Sequence, residues 1–407
     1  MRVLFVSNNF PIDLRIKTHG IYKRMGLFID AIKSFASIDF LYYVSPDTDV
    51  SAETVSRLNQ DFSKYWQADT TLFLCQRSAK QHRILRRSNY LPGAINFFDQ
   101  TSYVGVSTRS QVQALETCLL HKPDAIFAHR LQAMCPLMLT NVELPPIFFD
   151  LDDIEHISLS RQLKQPASYR KKSLNNYLYL PSLKRGELRA IRKAHKTFVC
   201  SDDDRAYLTK QLDLPGVVTI ANAIKLPQPQ PLTSEPNLLF IGSYTYQPNV
   251  SAAEFLIEKI WPHIRQAVPN ARLVIAGASP DRIRRYKTSD ERVEFPGFVE
   301  DLDKLYKKTR VVCSPILSGG GTRLKLIEAA AYQKPIVSTQ IGAEGLALLD
   351  GEAVFIRDDP RLFANACIEL LQSNALCKRL GDAAAKTATK YHDRAQIIKQ
   401  LQHHFQS

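Results

Sequence analysis

Residues 310–338 read RVVCSPILSGGGTRLKLIEAAAYQKPIVS. Val311, Val312 and Cys313 are apolar without alternation, as a strand covered on both faces requires. Three glycines, Gly319, Gly320 and Gly321, interrupt the run, and Leu324, Ile327 and Ala331 then recur at helical spacing. PIVS, 335–338, returns to strand. The segment is one strand–loop–helix–strand unit, and its loop carries a charge problem. Arg323 and Lys325 stand in the first helical turn, where the helix dipole is already positive. An anion resolves the conflict. Glycines remove every Cβ from the loop, so its amides approach a ligand closely. Thr322 can cap the helix, the first-turn amides point outward, and the two cations add charge-assisted contacts. A diphosphate fits this arrangement. The alternative is a loop before a surface helix whose cations are solvated.

The same alternation extends outward in both directions. Strand patterns at 2–6, 38–43, 125–128, 146–150, 197–200 and 217–220 precede the segment, with helical patterns such as 18–34 and 108–121 between them. KLPQPQPLTSEP, 225–236, holds four prolines in twelve residues and continues neither a helix nor a central strand. After it the alternation restarts with 238–241, 272–276 and 292–295. The expectation is α/β, with two doubly wound Rossmann-like domains facing a central cleft and ligands at the carboxyl ends of the strands. The domains are expected at 1–225 and 226–390, with a last helix, 391–407, packing back on the first.

At 407 residues the chain has material for two cores, and 45% of it is apolar. The mean hydropathy is −0.19. No apolar run reaches membrane-spanning length, and the N-terminal run is too short for a signal peptide. A cytoplasmic protein is expected, with its seven cysteines, none in a C-x-x-C pair, as buried reduced thiols. The histidines show no metal spacing; no metal and no cofactor are expected. No G-x-G-x-x-G follows the first strand or the strand at 238–241, which counts against NAD and FAD, and no P-loop motif is present.

Net charge is +13. Residues 1–225 carry 30 Lys and Arg against 21 Asp and Glu; residues 226–407 carry 23 against 19. Between Arg161 and Lys196, eleven basic residues face a single acid, Glu187. This balance fits an anionic partner or a solvated basic face. The segments 79–100 and 169–193 interleave Lys and Arg with Tyr, Phe and Leu, which would suit peripheral attachment to an anionic inner leaflet. No nucleic-acid-binding motif accompanies the charge, and no nucleic acid is expected. Asp150, Asp152 and Asp153 in DLDD read as a strand end or helix start, or as a substrate or metal contact.

GGGTRLKLIEAAAYQKPIVSTQIGAEGL, 319–346, resembles the donor-binding segment of retaining GT-B glycosyltransferases, in particular glycosyltransferase family 4 and its members with a G-G-G-T-R-x-K loop. LLFIGSYTYQPNVSAAEFL resembles the opening strand and helix of the family's second domain, and VEFPGFVEDLDKLYKKTRVVCSP its nucleobase turn. DAIFAHRLQAM and TIANAIKLP resemble first-domain strands. The resemblance implies that Glu328 binds the ribose hydroxyls and that Gly297, Phe298 and Val299 contact the base. Gly320, Gly321 and Thr322 would meet the donor sugar and diphosphate. Gly342, Ala343 and Glu344 match a second small-residue turn, Gly20 the glycine-containing loop after the first strand, and His129 the histidine near the transferring carbon. His129, Arg323 and Lys325 are the residues expected at the chemistry.

Two departures accompany it. Gly320 stands where many relatives carry a glutamate, and GSYTYQPN offers Ser243 and Pro248 where many carry Arg and Lys; Arg323 and Lys325 are the substitutes. The implied activity is sugar transfer from a nucleotide sugar, UDP- or GDP-linked, to a glycan or lipid-linked glycan acceptor, with retention, in bacterial-type surface polysaccharide assembly. A non-catalytic donor-binding subunit and a nucleotide-sugar epimerase are the alternatives.

Overall fold

The computed structural model describes residues 1–11, 20–77, 109–164, 174–286 and 290–406. The segment 79–100 lies outside the described residues. Contacts divide the chain into two units: Met1–Ile220 with the chain end from Ile398, and Ala221–Ile397.

The first unit is a seven-stranded parallel sheet in the order β3-β2-β1-β4-β5-β6-β7. The strands are β1 (Arg2–Ser7), β2 (Ser37–Val44), β3 (Thr70–Gln76), β4 (Ala125–His129), β5 (Ile147–Asp150), β6 (Lys196–Val199) and β7 (Val217–Thr219). Helices α1 (Gly20–Ile32), α2 (Ala52–Trp66), α3 (Arg109–Leu119), α4 (Leu131–Leu139), α5 (Glu155–Lys164), α6 (Leu174–Lys193) and α7 (Asp202–Ala206) connect them. Period-two alternation sorts the side chains of β1 and β2 to opposite faces. Leu4, Val6, Leu41 and Tyr43 join one core with Leu115 of α3, Met134 of α4 and Leu183 of α6. On the other face Phe28 of α1 lies 4.6 Å from Phe127, and Phe62 of α2 5.4 Å from Phe40. Phe405, near the chain end, packs 4.6 Å from Phe148.

The second unit is a six-stranded parallel sheet in the order β10-β9-β8-β11-β12-β13. Its strands are β8 (Asn237–Ile241), β9 (Arg272–Ala276), β10 (Val293–Gly297), β11 (Val311–Ser314), β12 (Ile336–Ser338) and β13 (Phe355–Ile356). Its helices are α8 (Gln247–Phe255), α9 (Trp261–Ala267), α10 (Leu302–Lys307), α11 (Leu324–Ala331), α12 (Gln340–Ala343), α13 (Pro360–Gln372) and α14 (Asn374–His392); α15 (Arg394–Gln406) ends the chain. Leu238 and Phe240 of β8 pack with α8, α9 and α13, while Leu239 packs with Leu326 of α11 and Ala384 of α14. Both sheets are thus covered on both faces, which is why their central strands are apolar without alternation.

All seven cysteines are free thiols, Cys75 half-buried and the others buried. Among the described residues no helix is long and apolar enough to cross a membrane.

Candidate functional site

In each sheet the chain reverses its direction of travel across the sheet at one place, between β1 and β4 in the first and between β8 and β11 in the second. Loops that leave two such strands diverge, and a ligand site opens outside their carboxyl ends. The sequence-predicted residues of the second unit follow three strand ends, β10 (297–299), β11 (the glycine loop and α11) and β12 (342–344); β9 and β8 lie between β10 and β11 in the sheet.

The glycine loop folds tightly onto its own arginine. Gly319 has φ +112° and Gly321 φ +63°, conformations that side chains disfavour. Arg323 turns back, its Nη1 donating to the carbonyls of Gly320 and Gly321, while Nη2 is buried and has no partner. A cationic donor in that state calls for an anion. Thr322 does not cap the helix as the sequence suggested. The N-cap of α11 is Arg323, without a side-chain cap bond, and Thr322 Oγ1 accepts from Asn222 Nδ2 at 2.9 Å. The first turn of α11 therefore keeps its outward amides uncapped by side chains.

Lys325 reaches in the opposite direction, to the turn after β8. Its Nζ donates to Asn249 Oδ1 at 2.8 Å and lies 4.4 Å from the centre of the Phe240 ring. Burial, and then the Arg323 guanidinium, bring its pKa from 10.5 to about 7, against the upward pull of Glu328. The turn itself, Gly242 to Tyr246, has no charged residue. Its cation comes from α11.

Glu328 lies one turn beyond Lys325, 8% exposed, and raises the pKa of the Tyr306 and Tyr332 phenols that burial has already pushed up. At the end of β10, Gly297 has φ +73° with open space where a Cβ would stand, Phe298 is 43% exposed, and Val299 packs on the core. Gly342 and Ala343 are buried in α12, which Thr339 caps. A Cβ on Gly342 would lie 2.3 Å from Ser338 Oγ and 2.7 Å from the Ser314 carbonyl, so this glycine serves the packing of strand ends. Glu344 follows directly. Gly20 opens α1 rather than standing in a loop. Sequence reasoning missed Asn249 and Gly277, whose only signals were an asparagine after QP and a glycine ending a strand; it noted the asparagine of TIANAIKLP, Asn222, without giving it a partner.

In the first unit the ends of β1 and β4 meet through Ser7 Oγ and His129 Nδ1, 2.9 Å apart. His129 is fully buried, and burial, followed by the charge of Arg130, takes its pKa down to about 3 against the pull of Asp152. It is a neutral imidazole, with Nε2 unpartnered and 4.0 Å from Asp150 Oδ2. Asp150 and Asp152 of DLDD face arginines. Arg24 Nε and Nη2 lie 2.8 and 2.7 Å from Asp150 Oδ1, and its Nη1 donates to the Ile220 carbonyl. Burial raises the Asp150 pKa against Arg24; burial acts upward on Asp152 too, but Arg130 and Arg24 hold it below the usual range.

With that geometry in hand, known proteins give the second unit a family likeness. Residues 235–373 match the family model of glycosyl transferases group 1. This group 1 segment is about a third of the chain and holds the glycine loop, Arg323, Lys325 and Glu328. A phosphatidyl-myo-inositol mannosyltransferase of Mycobacterium leprae is 26% identical over 190 residues, 44% of this chain and 49% of that protein. The chain spans about half the length of the curated relatives it matches. Among solved structures, sucrose-phosphate synthase of Thermosynechococcus elongatus has a TM-score of 0.70 at 15% identity, covering 100% of this chain and 98% of that one. Anabaena HepE, solved with UDP and glucose, has a TM-score of 0.62 at 14% identity, with 100% of both chains covered. The fold expected from the sequence, two Rossmann-like parallel-sheet domains of the GT-B kind, is therefore the one found.

Proposed function

We propose that the protein is a glycosyltransferase that moves a sugar from a UDP- or GDP-linked donor to a glycan or lipid-linked glycan acceptor, with retention at the anomeric carbon. The observation that carries this reading is the partnerless buried Nη2 of Arg323 beside the glycine loop, at the reversal point of the group 1 segment. The similarity to a mannosyltransferase and to a structure solved with UDP supports the donor class.

In this reading the glycine amides, the start of α11, Arg323 and Lys325 hold the diphosphate, Glu328 the ribose hydroxyls, and the turn 297–299 the base. The turn 342–344 borders the donor. The bond from the anomeric carbon to the departing phosphate oxygen breaks, and the acceptor oxygen bonds to the same face. The acceptor proton passes to the leaving phosphate, so no separate base is required. Fixed N–H dipoles and the two cations stabilise the charge that builds on the leaving group. His129, as a neutral imidazole, supplies Nε2 as a hydrogen-bonding group for the sugar.

Incubation with UDP-, GDP-, dTDP- and ADP-sugars, followed by thermal unfolding and donor hydrolysis, tests this. One nucleotide series should stabilise the protein, by about 2.7 kcal/mol at ~100 times Kd, and be slowly hydrolysed. Glu328→Ala should abolish the shift. No response to any nucleotide refutes the reading; a shift without hydrolysis or transfer refutes its catalytic half.

A further inference from the structure

Asn249 sits in α8, 8% exposed, with both ends of its amide engaged. Nδ2 donates to the Ser243 carbonyl at 2.9 Å, across the turn that leaves β8. Oδ1 accepts from Lys325 Nζ at 2.8 Å, across to α11. A Cβ on Gly242 would stand 2.7 Å from Asn249 Nδ2 and 3.0 Å from Lys325 Nζ, so the glycine leaves room for both groups. Phe240 closes the other side of the ammonium. One neutral amide therefore joins the β8 turn to the long side chain of a lysine that starts on another element.

We infer that Asn249 is a positioning residue of the donor site: it fixes the ammonium of Lys325 at the end of β8, where the diphosphate of the nucleotide is held. The inference rests on the donor reading given above. A lysine stem has four rotatable bonds and a compact, strongly hydrated head, so without a fixed acceptor its charge spreads over many positions. The choice of an amide matters. A carboxylate at 249 would satisfy the ammonium but cancel the charge offered to a diphosphate; an amide orients the ammonium and leaves its charge available. The charged groups that act on Lys325 are Arg323 and Glu328 of its own segment. From the β8 side it meets Phe240 and Asn249, neither of which titrates.

Titration calorimetry of the full chain with UDP, GDP and uridine, for the wild type, Asn249→Ala and Asn249→Asp, tests the inference. In the wild type the Lys325 ammonium is mostly deprotonated at about pH 8.5, so diphosphate binding should draw close to one proton from the buffer. Measurements in two buffers of different ionisation enthalpy read that proton directly. Asn249→Ala should weaken UDP or GDP about tenfold or more and leave uridine unchanged. Asn249→Asp keeps the ammonium charged before binding, so the proton uptake should disappear although Lys325 is intact. It also covers the case in which the alanine variant does not fold. If UDP or GDP binds the wild type and both variants with equal affinity and equal proton uptake, the positioning role is refuted and the donor reading stands. If no nucleotide binds the wild type, the donor reading fails and takes this inference with it.

Discussion

Arg24 shows how much a residue's neighbours decide. From the sequence it is one cation in a helical pattern; in the structure it is fully buried, bonded to Asp150 and to the Ile220 carbonyl. Burial opposes its charge, and Asp150, Cys200 and Asp152 together outweigh that, so its pKa is raised. Removing one member of a buried pair leaves the other charge without compensation. Arg24→Ala should therefore cost about 3–5 kcal/mol in urea unfolding. The double change Arg24→Met with Asp150→Leu should cost clearly less than the sum of the two single changes. Equal costs would mean that the pair is not coupled. The same logic bears on DLDD: Asp150 ends β5, as the strand-end reading expects, and the nearest charged partners of Asp150 and Asp152 are arginines. Residue types were legible at 129, 323, 325 and 328. Their contacts were not: His129 and Lys325 meet partners 122 and 76 positions away, and Arg323 folds back on Gly320 and Gly321 through a loop conformation that residue type does not specify.

At the scale of elements, apolar runs between turn residues located most of the strands, since burial on both faces leaves a signal within the run itself. TTLFLCQ, which forms β3, went unread. It begins with two threonines, ends in a polar residue and lies at the sheet edge, where only part of its surface is covered. Loop geometry was less legible still. Gly277, at the end of β9, has φ +139°, and a Cβ there would stand 1.7 Å from the Gly242 carbonyl oxygen. Its amide donates to the Gly297 carbonyl at 2.7 Å, tying the ends of β9 and β10. Gly277→Ala should destabilise the protein by at least about 3 kcal/mol, from backbone strain and overpacking together. Gly351→Ala is the control: φ is +77° with nothing within 4 Å of the added carbon, so only about 1–2 kcal/mol of left-handed strain is expected. Denaturant midpoints of the two variants check the difference, and similar losses would remove the packing argument.

At the scale of the whole molecule, the excess of +13 is concentrated before residue 226. On α6, Arg185, Arg189, Arg192 and Lys193 are exposed, and Tyr177 is 46% exposed. Attachment to an anionic leaflet, part of the reading for a lipid-linked acceptor, would use such a face at about 1 kcal/mol per basic residue near the surface. Flotation with vesicles containing anionic lipid should carry the protein upward at low salt, and Arg185→Glu with Arg189→Glu should reduce this several-fold. Equal flotation with neutral vesicles would refute attachment by charge.

The sequence by itself determined the α/β alternation, the two parallel-sheet domains and the glycine loop with its two misplaced cations, because periodicity and backbone freedom are local properties of the chain. Only the tertiary structure decided strand order, and with it which strand ends are neighbours. It also sent Arg323 back onto the loop, carried Lys325 across to Asn249, enclosed His129 and gave Thr322 to Asn222. Those outcomes depend on contacts between residues from 76 to 100 positions apart for Lys325 and Thr322, and packing, not local pattern, selects them.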